Sequence, residues 1–242
     1  FRPKYSEGER EYEWKNSFLI YDEEGNEVPY TLVSIERGRI VNSATLYKAD
    51  RYTVCINAAL RPMGYTEFRV VPAEKGVRTR YIMGQTTGRL TAENRFLCAA
   101  VNADGTLSLT DKRTGRRFEN LLSYEDGADI GDGWMHIRPA ADSIFFGPGQ
   151  VLALEKVYDG PAETAFRITT QFLLPEKVTA ENGGLQRSER LSPVTIRTLV
   201  RLGAEHERLH RQFVAEAEAS SRRLGLRCRP AIVAEASELD PT

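Results

Sequence analysis

Two long runs of this chain alternate apolar residues with more polar ones at every second position. The first run spans residues 166–174 and the second spans residues 194–202. Because successive side chains of a β-strand point to opposite faces, each run offers one apolar face to a core. Asp104-Gly105 and Asp159-Gly160 lie between further short runs, and Asp-Gly pairs favour tight hairpin turns. The pattern predicts an all-β fold, built as a sandwich of sheets.

The distribution of these runs predicts two β-units. A polar connector over residues 72–80 separates the early runs from the later ones. We place the boundary at residue 77, so that residues 1–77 form a small β-sandwich domain and residues 78–242 a larger one. The chain begins with Phe1 rather than Met, and we expect it to be a piece of a longer polypeptide. Residues 1–14 are interpreted as a strand contributed to another part of that protein.

Two stretches do not follow the alternating pattern. Residues 175–193 carry Pro, Gly, Asn and charge without periodicity, which predicts a long mobile loop. Residues 204–223 are rich in Ala, Glu, Arg and Leu, a composition that favours a helix. Yet apolar residues alternate over residues 211–219, which favours a strand. The residues alone leave helix and strand equally open for this second stretch.

Charge and composition exclude several classes of function. Lys and Arg number 33 against 34 Asp and Glu, so the net charge is −1 and lacks the basic excess typical of nucleic-acid or membrane-surface binding. No apolar run approaches the roughly 20 residues of a membrane-spanning helix, and no secretory leader is apparent. We therefore expect neither a nucleic-acid nor a membrane partner. The widely spaced cysteines are predicted to be buried reduced thiols: Cys55, Cys98 and Cys228.

The most unusual segment, residues 124–136, places four carboxylates within eight positions, beside an aromatic and a histidine. Clustered acids can supply a general acid and a general base, because like charges push carboxylate pKa values apart. They can bind a hard cation, although Asp126, Asp129 and Asp132 lack the alternate spacing of an EF-hand loop. They can also satisfy the backbone of a turn-rich connection. The residues leave these interpretations open, together with contact to a sugar or another polar ligand.

Trp134 and the later histidines allow both functional and structural interpretations. A Trp beside acids can stack on a sugar ring, but a Trp in a β-protein is more typical of a core. His206 and His210 would share one face of a helix and could ligate a metal, yet no third ligand is near, which favours solvated surface. No phosphate-binding loop, GxSxG or HExxH motif is present. Four arginines form a modest basic patch, which is more typical of exposed strand faces or interdomain contacts than of a phosphate site: Arg222, Arg223, Arg227 and Arg229.

Three segments, in order, carry a family resemblance. They are residues 93–97 (ENRFL), residues 101–115 (VNADGTLSLTDKRTG) and the acidic residues 124–134. This series resembles the C-terminal β-domain of glycoside hydrolase family 38 α-mannosidases. Residues 22–30 (DEEGNEVPY) and 63–71 (MGYTEFRVV) are similar to the small β-domain that precedes it in the family.

The resemblance implies a small β-sandwich followed by part of a galactose-mutarotase-like β-supersandwich. In the family, the catalytic carboxylates and the zinc ligands belong to an N-terminal α/β barrel and an adjoining helical region. The resemblance therefore implies no catalytic residue, metal site or cofactor in this chain, with zinc in the full-length enzyme. It also assigns residues 208–219 to a strand.

By the same resemblance, this chain is the non-catalytic β-portion of a cytoplasmic α-mannosidase that hydrolyses α-mannosidic bonds with retention. Its role would be to scaffold the enzyme and line the sugar cleft. Its partners would be the rest of the parent chain and a mannose-containing glycan. The family commonly has a tyrosine at the position of Trp134. Trp134 keeps an aromatic face for stacking but lacks the tyrosine hydroxyl. The implied substrate-rim residues are Asp129, Asp132, Trp134 and His136.

Two alternative functions do not require a catalytic domain elsewhere in a parent protein. The chain could be a stand-alone carbohydrate-binding or aldose-epimerase-like β-sandwich, and an epimerase would need His136 to meet His206 or His210 and a carboxylate in one cleft. It could also be an interaction domain with no role in sugar recognition.

Overall fold

A computed structural model describes residues 17–41, 47–73, 84–131, 134–135, 137–140, 142–181, 184–207 and 209–217. Every helix or strand in these ranges is a β-strand, and the sheets are antiparallel. The described ranges contain no helix that is long and apolar enough to cross a membrane. The prediction of an all-β fold is confirmed.

The first four strands form two pairs that pack face to face. They are β1 (Ser17–Tyr21), β2 (Tyr30–Val41), β3 (Tyr47–Ile56) and β4 (Arg69–Ala73), with β1 paired to β4 and β2 paired to β3. The Phe18 ring stacks on Tyr30, with 4.7 Å between centroids, and meets Tyr52 edge-on. Phe18 and Ile20 of one pair are thereby buried against Tyr52 of the other. The predicted boundary at residue 77 lies outside the described residues.

The later strands build a larger sandwich. Its first sheet has the order β5-β6-β7-β8 and its second the order β11-β12-β15-β16, while β9 pairs with β10 and β13 with β14. The strands are β5 (Thr91–Glu93), β6 (Leu97–Val101), β7 (Leu107–Asp111), β8 (Arg117–Leu121), β9 (Tyr124–Asp126), β10 (Phe145–Gly147), β11 (Gln150–Asp159), β12 (Glu163–Pro175), β13 (Val178–Glu181), β14 (Gly184–Arg187), β15 (Leu191–Gly203) and β16 (Leu209–Ala217).

Apolar side chains from both large sheets meet in one core. Leu97 and Leu107 of the first sheet pack with Phe166, Ile168 and Val200 of the second. The two alternating runs predicted from the sequence are the central strands β12 and β15. In β15 every second side chain is almost completely buried: Val194, Ile196, Thr198, Val200 and Leu202. The burial of one face of each strand is therefore the main apolar stabilisation of the large unit.

The structure corrects one expectation about local structure and confirms another. Residues 175–193 are not a long mobile loop, because β13 and β14 form a hairpin within them, with Glu181 paired to Gly184. The ambiguous stretch is a strand over Leu209–Ala217, as the resemblance implied. His206 therefore does not share a helix face with His210, since it lies in the turn before β16 and His210 lies within that strand.

The cysteine prediction can be followed at two of the three positions. Among the described residues, Cys55 and Cys98 are free cysteines, and both are half-buried, which is less enclosed than expected. Partial burial raises the pKa of Cys55, and the nearby Glu163 acts in the same direction. Cys228 lies outside the described residues.

The turn between β11 and β12 contacts the first four strands. Thr31 of β2 is buried, and its hydroxyl oxygen accepts the backbone N–H groups of Ala162 and Glu163 at 3.0 and 3.1 Å. A Cβ atom at Gly160 would lie 2.4 Å from that hydroxyl oxygen, so the approach requires glycine. In the same turn, the Asp159 carboxylate accepts hydrogen bonds from three donors: the Gln85 backbone N–H and the Thr86 and Thr164 hydroxyls. We call this set of contacts the junction.

Candidate functional site

The acidic segment forms a loop that is closed at its base by two short strands. Phe145 of β10 pairs with Asp126 of β9, so residues 127–144 leave and re-enter the body of the protein at adjacent points. We call residues 127–144 the acidic loop and the β9–β10 pair its neck. Tyr124 and Phe145 of the neck pack near Ile196 of the second large sheet. The neck thus joins the loop to the body of the protein beside the part of the second large sheet that carries Ile196.

A buried ion pair lies at the neck. The Asp126 and Arg187 side chains are only 6% and 4% exposed, and their carboxylate and guanidinium groups are in direct contact. Arg187 Nη1 also donates to the backbone carbonyl oxygens of Asp126, at 3.2 Å, and Ser143, at 3.0 Å. The guanidinium carbon lies 5.1 Å from the centre of the Phe145 ring. One side chain from the β13–β14 hairpin therefore bonds to both ends of the acidic loop.

The carboxyl group of Asp126 is under opposing influences. Burial raises its pKa, the ion pair and hydrogen bond with Arg187 lower it, and the charge of Asp142 raises it again. Burial prevails, and the pKa lies above its usual value. Its Oδ1 atom is buried without a hydrogen-bond partner, beside an apolar cavity of about 10 Å³ that Phe172 and Leu174 help to line. The charged form of Asp126 thus depends strongly on its guanidinium partner.

Other carboxylates shape the backbone of the loop. Both oxygens of Asp142 accept the N–H of Ala128, at 3.2 and 3.0 Å. Asp129 Oδ1 accepts the N–H groups of Gly131 and Ile137, at 2.9 and 3.1 Å. Carboxylates that bond to nearby backbone N–H groups are typical of structured turns. The turn interpretation of the acidic cluster therefore fits Asp129, whereas Asp142, which lies outside that cluster, bonds across the base of the loop to Ala128.

The far end of the loop presents apolar side chains to solvent. Trp134 is 94% exposed, Met135 is 64% exposed and Ile137 is 46% exposed. Trp134 is therefore not a core residue, which was the alternative interpretation of a tryptophan in a β-protein. A large exposed aromatic surface beside polar groups is typical of a binding surface.

The structure brings together only some of the residues singled out in the sequence. Asp129 and Trp134 both lie on the acidic loop, the first half-buried and the second exposed. Asp132 and His136 lie outside the described residues, as do all four arginines of the possible basic patch. Within the described ranges, no group of three or more His, Cys, Asp or Glu side chains could hold a metal ion.

His206, one of the two histidines that an epimerase site could pair with His136, is not near this loop. His206 follows the end of β15 at Gly203, whereas the neck packs near the start of that strand, at Val194 and Ile196. A strand advances about 3.3 Å per residue, so His206 and the neck lie at opposite ends of the sheet. The geometry does not support an epimerase centre that includes His206.

Arg187, the residue that holds the neck, was not among the residues predicted from the sequence. It lies in a stretch that was interpreted as a mobile loop, and its partner Asp126 is 61 positions away. Asn182-Gly183 was the available signal for the hairpin that carries Arg187, because Asn-Gly is a favoured two-residue turn between paired strands. No local signal pairs Arg187 with Asp126.

Comparison with known proteins places this fold. No protein-family model matches the chain, and no curated protein does. A glycosyl hydrolase family 38 protein from Enterococcus faecalis matches 81% of this chain with a TM-score of 0.66 and 22% sequence identity. An α-mannosidase from Enterococcus faecalis V583 also matches 81%, with a TM-score of 0.62 and 21% identity.

These likenesses confirm the resemblance at the level of the fold. The chain is an all-β protein with the fold of a portion of family 38 glycosyl hydrolases. The match covers 25% of the first solved chain and 24% of the second, so this chain spans about a quarter of the length of each.

Proposed function

We propose that this chain is the non-catalytic β-portion of an α-mannosidase and that its acidic loop lines the edge of the sugar cleft. The observation that carries the proposal is the exposed Trp134, presented by a loop whose backbone is held by buried or half-buried carboxylates. The fold shared with the two Enterococcus faecalis proteins supports the choice of a mannoside as the sugar.

The proposed role divides recognition from chemistry. An exposed indole offers a flat apolar face to the C–H groups of a sugar ring, while carboxylates accept hydrogen bonds from sugar hydroxyls. Retaining hydrolysis requires two carboxylates placed on either side of the glycosidic bond, and in this proposal they belong to the remainder of the parent enzyme. The zinc ion is likewise proposed to belong there, and the parent enzyme to act in the cytoplasm.

Calorimetric titration of the chain with methyl α-mannoside tests this proposal. We expect saturable binding with a Kd in the millimolar range, about −4 kcal/mol, because one aromatic face and a few hydroxyl contacts form only part of a site. Trp134→Ala should abolish it. Tyr65→Ala is the matched control, because Tyr65 is an aromatic residue that is 81% exposed outside the acidic loop, and this variant should bind as the wild type does.

Two results would contradict the proposal. Turnover of p-nitrophenyl α-mannoside by the chain alone would place catalytic groups within it. The absence of saturable binding, or binding that survives Trp134→Ala, would remove the acidic loop from sugar recognition.

A further inference from the structure

We infer that Arg187 is a positioning residue that fixes the acidic loop in the form that presents Trp134. The link to sugar recognition rests on the proposed function, whereas the effect on the loop itself does not. Arg187 lies on β14, outside the loop and its neck. It therefore links the acidic loop to the separate β13–β14 hairpin.

Arg187 bonds to both sides of the neck. The carbonyl oxygens of Asp126 and Ser143 lie on the two sides of the neck, and Arg187 Nη1 donates to both of them. The second nitrogen, Nη2, contacts the Asp126 carboxylate. A planar guanidinium can hold several acceptors at once in fixed directions, which the flexible ammonium of a lysine does less well. Arg187 thus sets the separation of the two ends of the loop.

Removal of Arg187 would leave the buried carboxylate of Asp126 without its charged partner. Asp126 is buried, its Oδ1 lacks a hydrogen-bond partner, and Asp142 is close enough to raise its pKa. Removing one partner of a buried ion pair leaves an uncompensated charge, which is far more costly than the pair itself. The neck would relieve that cost by opening and exposing Asp126 to water. Loss of Arg187 should therefore make the acidic loop more mobile.

The order of the acidic loop can be measured close to Trp134. Asp129 and Asp142 accept backbone N–H groups from within the loop, whereas Arg187 reaches the loop from a separate hairpin. The exposed Arg138 is in the loop and pairs with Glu125 of β9, at 3.5 Å. If the neck opens, this pair separates and the peptide bond after Arg138 becomes a better trypsin substrate.

The test uses the whole chain with Trp14→Phe, which leaves Trp134 as its one tryptophan. Arg187→Met is compared with Arg187→Lys and with a matched control, Arg190→Met. Arg190 is also an arginine near the β13–β14 hairpin, but it is 80% exposed and pairs with Glu176. Trypsin cleavage after Arg138, followed by mass spectrometry, and the fluorescence anisotropy of Trp134 report loop order. Methyl α-mannoside affinity is measured in parallel.

For Arg187→Met we expect cleavage after Arg138 to accelerate by about tenfold or more, with a lower Trp134 anisotropy, because local opening sets the rate of such cleavage. Arg187→Lys should restore part of both signals, and Arg190→Met should match the wild type. If Arg187→Met fails to fold, the double variant Asp126→Asn with Arg187→Met removes the buried charge. It should fold and still show fast cleavage, because the tie across the neck remains absent.

Unchanged cleavage and anisotropy in the folded Arg187 variants would overturn the inference. Where the wild type binds methyl α-mannoside, an unchanged affinity in Arg187→Met would overturn the link to presentation of Trp134. A wild type that does not bind, with a loop that still loosens in Arg187→Met, would instead contradict the proposed function and leave the positioning role supported.

Discussion

The junction and the neck each contain one aspartate, and the two carboxylates are stabilised differently. Asp159 accepts hydrogen bonds from the Gln85 backbone and the Thr86 and Thr164 hydroxyls. Asp126 contacts one guanidinium and leaves one oxygen without a partner. Several donors therefore stabilise the Asp159 carboxylate, whereas the Asp126 carboxylate depends on the single guanidinium of Arg187.

The pKa values follow this difference. Burial alone raises the pKa of Asp159, but its hydrogen bonds from Thr164, Thr86 and Gln85, together with the charge of Lys156, lower it below the usual value. For Asp126, burial outweighs the effect of Arg187 and the pKa is raised. Hydrogen-bond donors around Asp159 thus stabilise the ionised form, while the surroundings of Asp126 disfavour it.

The largest expected loss of stability comes from shortening an apolar side chain that packs beneath the neck. Ile196 is 1% exposed and packs with Tyr124 and Leu174. Ile196→Ala should lower the free energy of unfolding by about 3 kcal/mol, since it removes buried methylene groups and leaves a cavity. Urea denaturation measures this change. Leu173→Ala, at a position on the same sheet that is 58% exposed, should change stability by less than about 0.5 kcal/mol.

A second substitution breaks the junction. Asp159→Ala removes the acceptor shared by Gln85, Thr86 and Thr164, and we expect a loss of about 2 kcal/mol because these donors lose their partner. Urea denaturation again provides the measurement. Asp104→Ala is a suitable comparison, because Asp104 is an exposed turn aspartate whose one side-chain donor is Thr106. This variant should lose less stability than Asp159→Ala. Equal losses would show that the junction is no stronger than an ordinary turn.

The pH dependence of stability sharpens the comparison. The pKa of Asp159 is lowered in the folded state, so its contribution is present above its unfolded pKa of about 3.9 and is lost as the pH falls through the folded value. The pKa of Asp126 is raised, so its contribution is present below about 3.9 and is lost as the pH rises through the folded value. Relative to wild type, Asp159→Asn should therefore regain stability in acid, and Asp126→Asn should gain as the pH rises.

Urea denaturation between about pH 3 and pH 7 measures both profiles, and the expectation rests on the pKa directions alone. Parallel profiles for the two variants would mean that the two carboxylates do not differ as described.

Much of the large sheet could be predicted from the sequence, and the neck could not. The alternation in β12 and β15 identifies buried faces because strand geometry places every second side chain on one side. The charged residues of the β13–β14 hairpin obscured its strands, although the sequence between them contains the turn signal Asn-Gly. The contact between Arg187 and Asp126 depends on how separate hairpins pack together, which no local pattern encodes. The exposure of Trp134 likewise follows from the path of the loop.

The smallest expected effect on stability is at the tip of the loop. Trp134 is 94% exposed, so Trp134→Ala should change the free energy of unfolding by less than about 0.5 kcal/mol. The variant should therefore keep the fold while it loses methyl α-mannoside binding. A large loss of stability in urea denaturation would show that Trp134 serves the structure rather than a ligand.

Backbone NMR during titration with methyl α-mannoside shows whether the acidic loop contacts the sugar. If the acidic loop lines a sugar cleft, the amide signals of Gly131 and Ile137, whose N–H groups Asp129 holds, should shift with saturation. The amides of Phe18 and Ile20, in the core of the first four strands, should not move. Saturable shifts confined to residues outside the acidic loop, or no shifts at all, would contradict the account.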